Sequence, residues 1–171
     1  VELVDSGLDE EASEAFLNVL SGRAKTIAEL DLSRNRIGMR GANALARFIC
    51  QKGCALQSLK VDGNKAGDTA IMAVLKALQK HQPPLTHLGL SDNRITFKTM
   101  QDCAGPLLAG GLCLRTLELG WNNLNKQAIE ELADALKWNK SIAQMNLEYN
   151  NAGEGAHAIA EVLQDHKSIT S

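Results

Sequence analysis

The sequence is short of the side chains from which catalytic centres and metal sites are made. Its 171 residues include four cysteines, four histidines, two tryptophans and one tyrosine. Cys50 and Cys54 have no second Cys or His pair at zinc spacing, Cys103 and Cys113 are isolated, and the histidines are dispersed, which argues against a metal site. No nucleophile-base-acid set and no phosphate-cradling glycine loop can be assembled, so neither an enzyme nor a cofactor is expected. Long apolar runs are missing too. Nothing approaches the roughly 20 residues that span a bilayer, so no membrane partner is expected. Thiols without a disulfide pattern fit a reducing compartment and point to the cytoplasm. What is left, 44% hydrophobic and 22% charged residues, describes a globular chain long enough for a real core.

What the chain has instead is repetition. Ile27-x-x-Leu30-x-Leu32-x-x-Asn35-x-Ile37 recurs in the same frame from Leu56 to Asn64, Leu85 to Asn93, Leu114 to Asn122 and Ile142 to Asn150. Such self-similarity identifies a leucine-rich repeat. Ile27, Leu56, Leu85 and Leu114 are each 29 apart, Ile142 follows after 28 and Ile169 after 27, and every period can hold a full α-helix. Val1 and Leu3 fall at the Leu30 and Leu32 positions, and Ile169-Thr170-Ser171 begins a further copy. Residues 1–171 are therefore expected to form a single domain of about six repeats, a piece of a longer repeat array, since neither end carries the polar cap a solenoid needs.

Each copy combines two periods. The Leu-x-Leu units (Leu30/Leu32, Leu59/Val61, Leu88/Leu90, Leu117/Leu119, Met145/Leu147) have strand period, with the intervening residues facing out. After each asparagine comes helix period: Ala42/Leu45/Ala46/Ile49, Ile71/Val74/Leu75/Leu78, Ile129/Leu132/Ala133/Leu136 and Ala156/Ile159/Ala160/Leu163. Ala12/Ala15/Phe16/Val19 gives the opening repeat a helix, and Met100/Cys103/Ala104/Leu107 keeps the stripe in the fourth, where Cys103 should be buried as a small hydrophobe. The fold class is thus an α/β solenoid, a right-handed β-α superhelix. Strands sit about 4.8 Å apart and packed helices about 8 to 10 Å, so the parallel sheet lines the inside of a horseshoe and the helices its convex side.

Single residues carry further expectations. The asparagine column (Asn35, Asn64, Asn93, Asn122, Asn150) sits at the inward turn from strand to helix, where one short amide can satisfy backbone groups that the turn leaves unpaired. Its role is structural. Pro106, after Gly105, should kink or shorten the fourth helix on its outer side. Trp138 lies beyond the fifth stripe as a packing residue. Asn139-Lys140-Ser141 formally fits a glycosylation acceptor and receives little weight.

The 28- to 29-residue frame, with Gly38-Met39-Arg40-Gly41-Ala42 opening a helix, resembles the ribonuclease-inhibitor-like class over essentially the whole chain. It departs from ribonuclease inhibitor itself, whose repeats put cysteine in many positions where this chain has asparagine. The resemblance implies an intracellular protein-protein interaction module, as scaffold, sensor or regulatory subunit. It also implies an alternative, GTPase activation of the Ran type, for which Arg34, Arg36 and Arg94 lie near the strand-to-helix turns.

The inner face narrows the partner. Its outward strand positions and the two residues beyond hold eight acidic residues (Glu2, Asp5, Glu29, Asp31, Asp62, Asp92, Glu118, Glu148) against two basic ones (Arg34, Lys60). That makes the face −6 in a chain of −2 overall, which favours a basic protein and disfavours nucleic acid. Trp121 and Tyr149 occupy the same position in consecutive repeats, side by side at the rim of the sheet, and are the residue types most enriched in interface hot spots. The expected partner-binding residues are Trp121, Tyr149, Asp92, Glu118, Glu148, Asp62, Asp31 and Arg34.

Overall fold

A computed structural model describes residues 1–109, 111–166 and 168–169, with the side chain of Asp165 outside that set. Of the expected closing segment, Ile169 packs half-buried against the core, while Thr170 and Ser171 lie outside the described residues. The elements alternate: α1 (Glu10–Ser21), β1 (Glu29–Asp31), α2 (Gly38–Ile49), β2 (Ser58–Lys60), α3 (Gly67–His81), β3 (His87–Gly89), α4 (Phe97–Ala109), β4 (Thr116–Glu118), α5 (Lys126–Leu136), β5 (Gln144–Asn146), a 3-10 turn at Gly153–Gly155 and α6 (Ala156–Asp165). All five strands are parallel and in sequence order. Their register is that of the repeat, because Leu30 pairs with Leu59, Leu59 with Leu88, Leu88 with Leu117 and Leu117 with Met145. A further rung precedes β1, where Glu2 bridges Asp31 in parallel.

The core lies between sheet and helices. Leu30, Leu59, Leu88 and Leu117 are buried from the strand side, and Leu45, Ile49, Ile71, Leu75, Cys103 and Leu132 from the helix side. Cys103 therefore behaves as the expected small hydrophobe. Pro106 does not shorten its helix. With 13 residues α4 exceeds the 12 of α2 and the 11 of α5, because the exposed ring faces outward and the buried face on Met100, Cys103, Ala104 and Leu107 is unbroken.

Two helices depart from the expected stripe. In α1 the buried residues are Ser13, Leu17 and Leu20, whereas Ala12 and Ala15 are exposed, Phe16 is half-buried and Val19 is exposed. The repeat of 29 maps Ala42, Ala46 and Ile49 onto Ser13, Leu17 and Leu20, so the expected stripe began one residue early, and one residue turns a helix by about 100°. Close approach explains the serine: a Cβ on Gly41 would stand 2.9 Å from the Ser13 Cβ. A one-residue slip in the opposite direction occurs in α6, where the expected stripe began one residue late. Gly155 and Val162 are buried and Ala158 and Ile159 half-buried, while Ala156, Ala160 and Leu163 are exposed. Here the 3-10 turn tightens the entry, and a Cβ on Gly155 would meet the Lys126 carbonyl oxygen at 2.8 Å.

Helix entries are served partly by the neighbouring repeat. Asp9 caps its own α1, accepting from the Ala12 N–H, and Asn125 caps α5 through the Ala128 N–H. Asp68, in the first turn of α3, instead accepts from the Thr96 N–H at 2.9 Å and from the hydroxyls of Thr96 and Thr99 at the start of α4. Burial opposes its ionisation, but these bonds, the Thr99 hydroxyl first, hold its carboxyl below the usual range.

Candidate functional site

The asparagine column forms a ladder between repeats. Asn122 Nδ2 donates to Leu119 O and Gly120 O in its own turn and to Leu90 O in the preceding repeat, and its Oδ1 accepts from the N–H groups of Asn93 and Ile95. Asn64 and Asn35 reach back in the same way, to Leu32 O and Leu3 O. The expected backbone satisfaction is present, and each amide also ties one coil to the coil before it.

The residue before each asparagine of the column has an unusual backbone, as does Asp5 before Ser6 at the equivalent place in the opening repeat. Asp5, Arg34, Gly63, Asp92, Trp121 and Tyr149 all lie at positive φ, between 48 and 70°, a region that costs a non-glycine residue about 1–2 kcal/mol. Except at Tyr149, their N–H groups extend the sheet by one rung: Arg34 N donates to Asp62 O at 2.6 Å, Asp92 N to Gly120 O at 2.9 Å and Trp121 N to Glu148 O at 2.8 Å. The turn of the chain lifts this column of side chains onto the edge of the concave face. There Trp121 and Tyr149 stack with ring centroids 3.8 Å apart and planes inclined by 21°. Even so, Trp121 is 54% and Tyr149 68% exposed.

The floor beside the column is lined with small residues over which acidic side chains fold. Asp62 lies across Gly89, where a Cβ would strike its Oδ2, and a Cβ on Gly120 would come within 2.9 Å of Glu148 Cγ. Arg34 lies across Gly63 in the same fashion, its Cγ 3.0 Å from the Cβ position. Asp62 Oδ1 accepts from the Ser91 N–H at 2.7 Å. Burial pushes the Asp62 carboxyl above its usual range; the Ser91 bond opposes this, and the neighbouring charges of Asp31 and Glu118 add to it.

Comparison with known proteins decides the family. A family model described as Leucine Rich repeat matches residues 24–46 and 112–133. Ribonuclease inhibitor of Sus scrofa is 30% identical over 130 residues, covering 76% of this chain and 28% of that protein. The chain is a divergent ribonuclease-inhibitor-like leucine-rich-repeat protein. The NACHT, LRR and PYD domains-containing protein 14 of Mus musculus is 28% identical over 149 residues, covering 84% of this chain and 14% of its own length. The chain thus spans less than a third of the curated relatives it matches. Among solved structures, Leiomodin-1 Actin-Binding Site 2 superimposes with TM-score 0.68 at 16% identity, covering 92% of this chain and 90% of that one. The tropomodulin C-terminal domain of Caenorhabditis elegans gives 0.64 at 13%, covering 92% of each. At these identities the likeness is one of fold.

In this leucine-rich-repeat protein the expected binding residues fall into two groups. Asp31, Asp62 and Glu118 are half-buried in the floor, and the first two are engaged, Asp31 with the Ser33 N–H and Asp62 with the Ser91 N–H. Arg34, Asp92, Trp121 and Tyr149 stand in the edge column, with Glu148 exposed beside them. His87 was not singled out, although the 29-residue register sets it in the outward column of Ser58 and Thr116. Burial, and then Lys60, hold its ring below its usual value against Glu118, Asp62 and Asp31, which makes it part of the same charge cluster. Trp138 is not the expected packing residue but 77% exposed. Its neighbour Asn139 takes the inward position, donating to Leu108 O and accepting from the Ser141 and Ile142 N–H groups. Among the described residues no group of His, Cys, Asp and Glu could hold a metal ion, and no helix is long and apolar enough to cross a membrane.

Proposed function

We propose that the concave face is the docking surface for a protein partner of basic character, anchored at its carboxyl-terminal end by Trp121 and Tyr149. The observation that carries this is the stacked pair. Two large aromatic rings stand more than half exposed at backbone positions that favour glycine, an arrangement that gives the core nothing and offers a rigid apolar anchor to a partner. The surrounding carboxylates supply steering. Glu118, Glu148 and Asp92 accept no hydrogen bond and enter no ion pair through their side chains among the described residues, so their field is directed outward. A binding role agrees with the leucine-rich-repeat relatives.

The Ran-type alternative requires an arginine fixed in place by its surroundings. The guanidinium groups of Arg34, Arg36 and Arg94 have no partner among the described residues, which favours the binding module. The decisive experiment is a pull-down from cell extract with the wild-type chain and with Trp121→Ala/Tyr149→Ala. Loss of specific partners from the double variant is expected. Recovery of the same proteins at the same affinity would place the functional surface on the helices or loops, and stimulated nucleotide hydrolysis by a small GTPase would restore the enzymatic alternative.

A further inference from the structure

The edge of the horseshoe opposite the asparagine turns is basic. Its connections from helix to strand, residues 22–28, 50–57, 82–86, 110–115 and 137–143, contain Arg23, Lys25, Lys52, Arg115, Lys137 and Lys140 and none of the chain's 20 Asp and Glu. Lys80, in the last turn of α3, fills the row where 82–86 has no cation. All seven are exposed. Among the described residues only Lys137 has a side-chain partner, Asp134 at 2.6 Å. The adjoining end of the floor offsets them little, since the strands begin at Glu29, Ser58, His87, Thr116 and Gln144, whereas Asp31, Asp62, Asp92, Glu118 and Glu148 stand at or beyond the far ends of the strands. Flanking carboxylates come from Glu29 and, on the helices, from Asp134 and Glu161. Helix dipoles do not account for the row. They favour cations within the last turn, and Lys25, Lys52, Arg115 and Lys140 lie three or more residues past their helices. Between Lys137 and Lys140 stands Trp138, 77% exposed. Asn139 pins that turn, donating to Leu108 O of the preceding repeat, so the indole is held outside.

We propose that this edge lies on an anionic lipid surface, its cations against the headgroups and Trp138 seated at headgroup level. The parallel register sets the five connections side by side, a row of about 20–40 Å at the spacings of strands and helices, which only an extended anionic partner can cover. Five of the seven cations are lysines, point charges that suit mobile headgroups, whereas fixed phosphodiesters or carboxylates are read by the planar fork of arginine. A single-stranded nucleic acid would also need an aromatic for successive bases, and this edge offers one indole, the residue type that settles at membrane interfaces. Such contact lies on the bilayer and needs no spanning helix, so the shortage of apolar runs does not bear on it. The edge is separate from the concave face and does not rest on its proposed role.

The test is flotation of the whole chain with vesicles of phosphatidylcholine, with and without about 30 mol% phosphatidylserine. Wild type should bind the anionic vesicles alone, and more weakly as salt rises. Lys25→Gln/Lys52→Gln/Lys140→Gln, all at exposed positions, should bind at least about tenfold more weakly, and Trp138→Ser at least about threefold. Trp121→Ala/Tyr149→Ala should stay within about twofold of wild type. That variant leaves Trp138 as its one tryptophan, and its emission should move to the blue when anionic vesicles are added. Equal binding to phosphatidylcholine, no binding to either vesicle, an unaffected lysine variant or an unshifted Trp138 emission overturns the proposal. Capture of a (dT)12 oligonucleotide in place of vesicles would overturn it in favour of nucleic acid.

Discussion

Replacing Asn122 by alanine should destabilise the fold more than replacing Asn93, and Asn123 should matter least. The order follows from which groups lose their partner. Asn93 Nδ2 donates to Val61 O and Ser91 O, but those oxygens also receive the Asn64 amide and the Gly63 N–H, and among the described residues its Oδ1 accepts only from Ala66 N at 3.4 Å. Two hydrogen bonds at about 0.5–1.5 kcal/mol each give about 1–3 kcal/mol for Asn93→Ala. Asn122 Oδ1, by contrast, is the acceptor for two buried N–H groups, those of Asn93 and Ile95. Orphaning each costs about 1–3 kcal/mol, so Asn122→Ala should lose about 2–6 kcal/mol. Asn123 is exposed and contributes a backbone N–H to Ile95 O that alanine retains, so its replacement should stay within about 0.5 kcal/mol. Urea denaturation followed by circular dichroism reads all three. Equal midpoint shifts for Asn122→Ala and Asn93→Ala would refute the reasoning from orphaned donors.

Asp68, held below the usual carboxylate range, contributes stability that is present above its unfolded pKa and lost as pH falls through its folded one. Asp68→Asn should therefore flatten the acid limb of a stability-against-pH curve, and an unchanged limb would contradict the cross-repeat cap. Asp62 has the opposite sign: its raised carboxyl favours the proton, so stability falls as pH rises through the folded pKa, and Asp62→Asn should remove that loss. Ser13 is fully buried with an unpartnered hydroxyl among the described residues; Ser13→Ala should raise stability by about 1 kcal/mol or more, and a lower melting temperature would speak for a hydrogen bond there. Trp121→Gly and Trp121→Ala should weaken partner binding alike, by about 2 kcal/mol, while the glycine variant folds more stably by about 1 kcal/mol because φ is 56°. Equal stability of the two would mean that the strain is not there.

The strands and their register were legible because burial alternates with period 2 and a repeat of 29 leaves one alignment for Leu30, Leu59, Leu88 and Leu117. The adjacency of Trp121 and Tyr149 followed from the same frame. End helices were harder. Ala12/Ala15/Phe16/Val19 and Ser13/Phe16/Leu17/Leu20 differ by one residue, and an apolar count prefers the first because the true stripe opens on a serine. The positive-φ column was hidden for a different reason: only Gly63 advertises it, while Arg34, Asp92 and Trp121 hold that backbone as they continue the sheet by a rung, and Tyr149 holds it too. Nor does a sequence pattern reveal that the asparagine amides and Asp68 find their partners a repeat away, since those distances are set by how the coils stack.

The positive-φ column makes the edge of the concave face interchangeable by position. Its side chains leave a backbone that is already fixed by the rung on one side and the asparagine ladder on the other, and they pack little against the core. Exchanging one non-glycine occupant for another, Asp92 for a tyrosine or Arg34 for a glutamate, trades one strained side chain for another at nearly constant folding energy. The surface chemistry of the horseshoe can therefore be rewritten one residue per coil without redesigning the coils beneath, which makes this column the natural place to graft a new recognition sequence onto the scaffold.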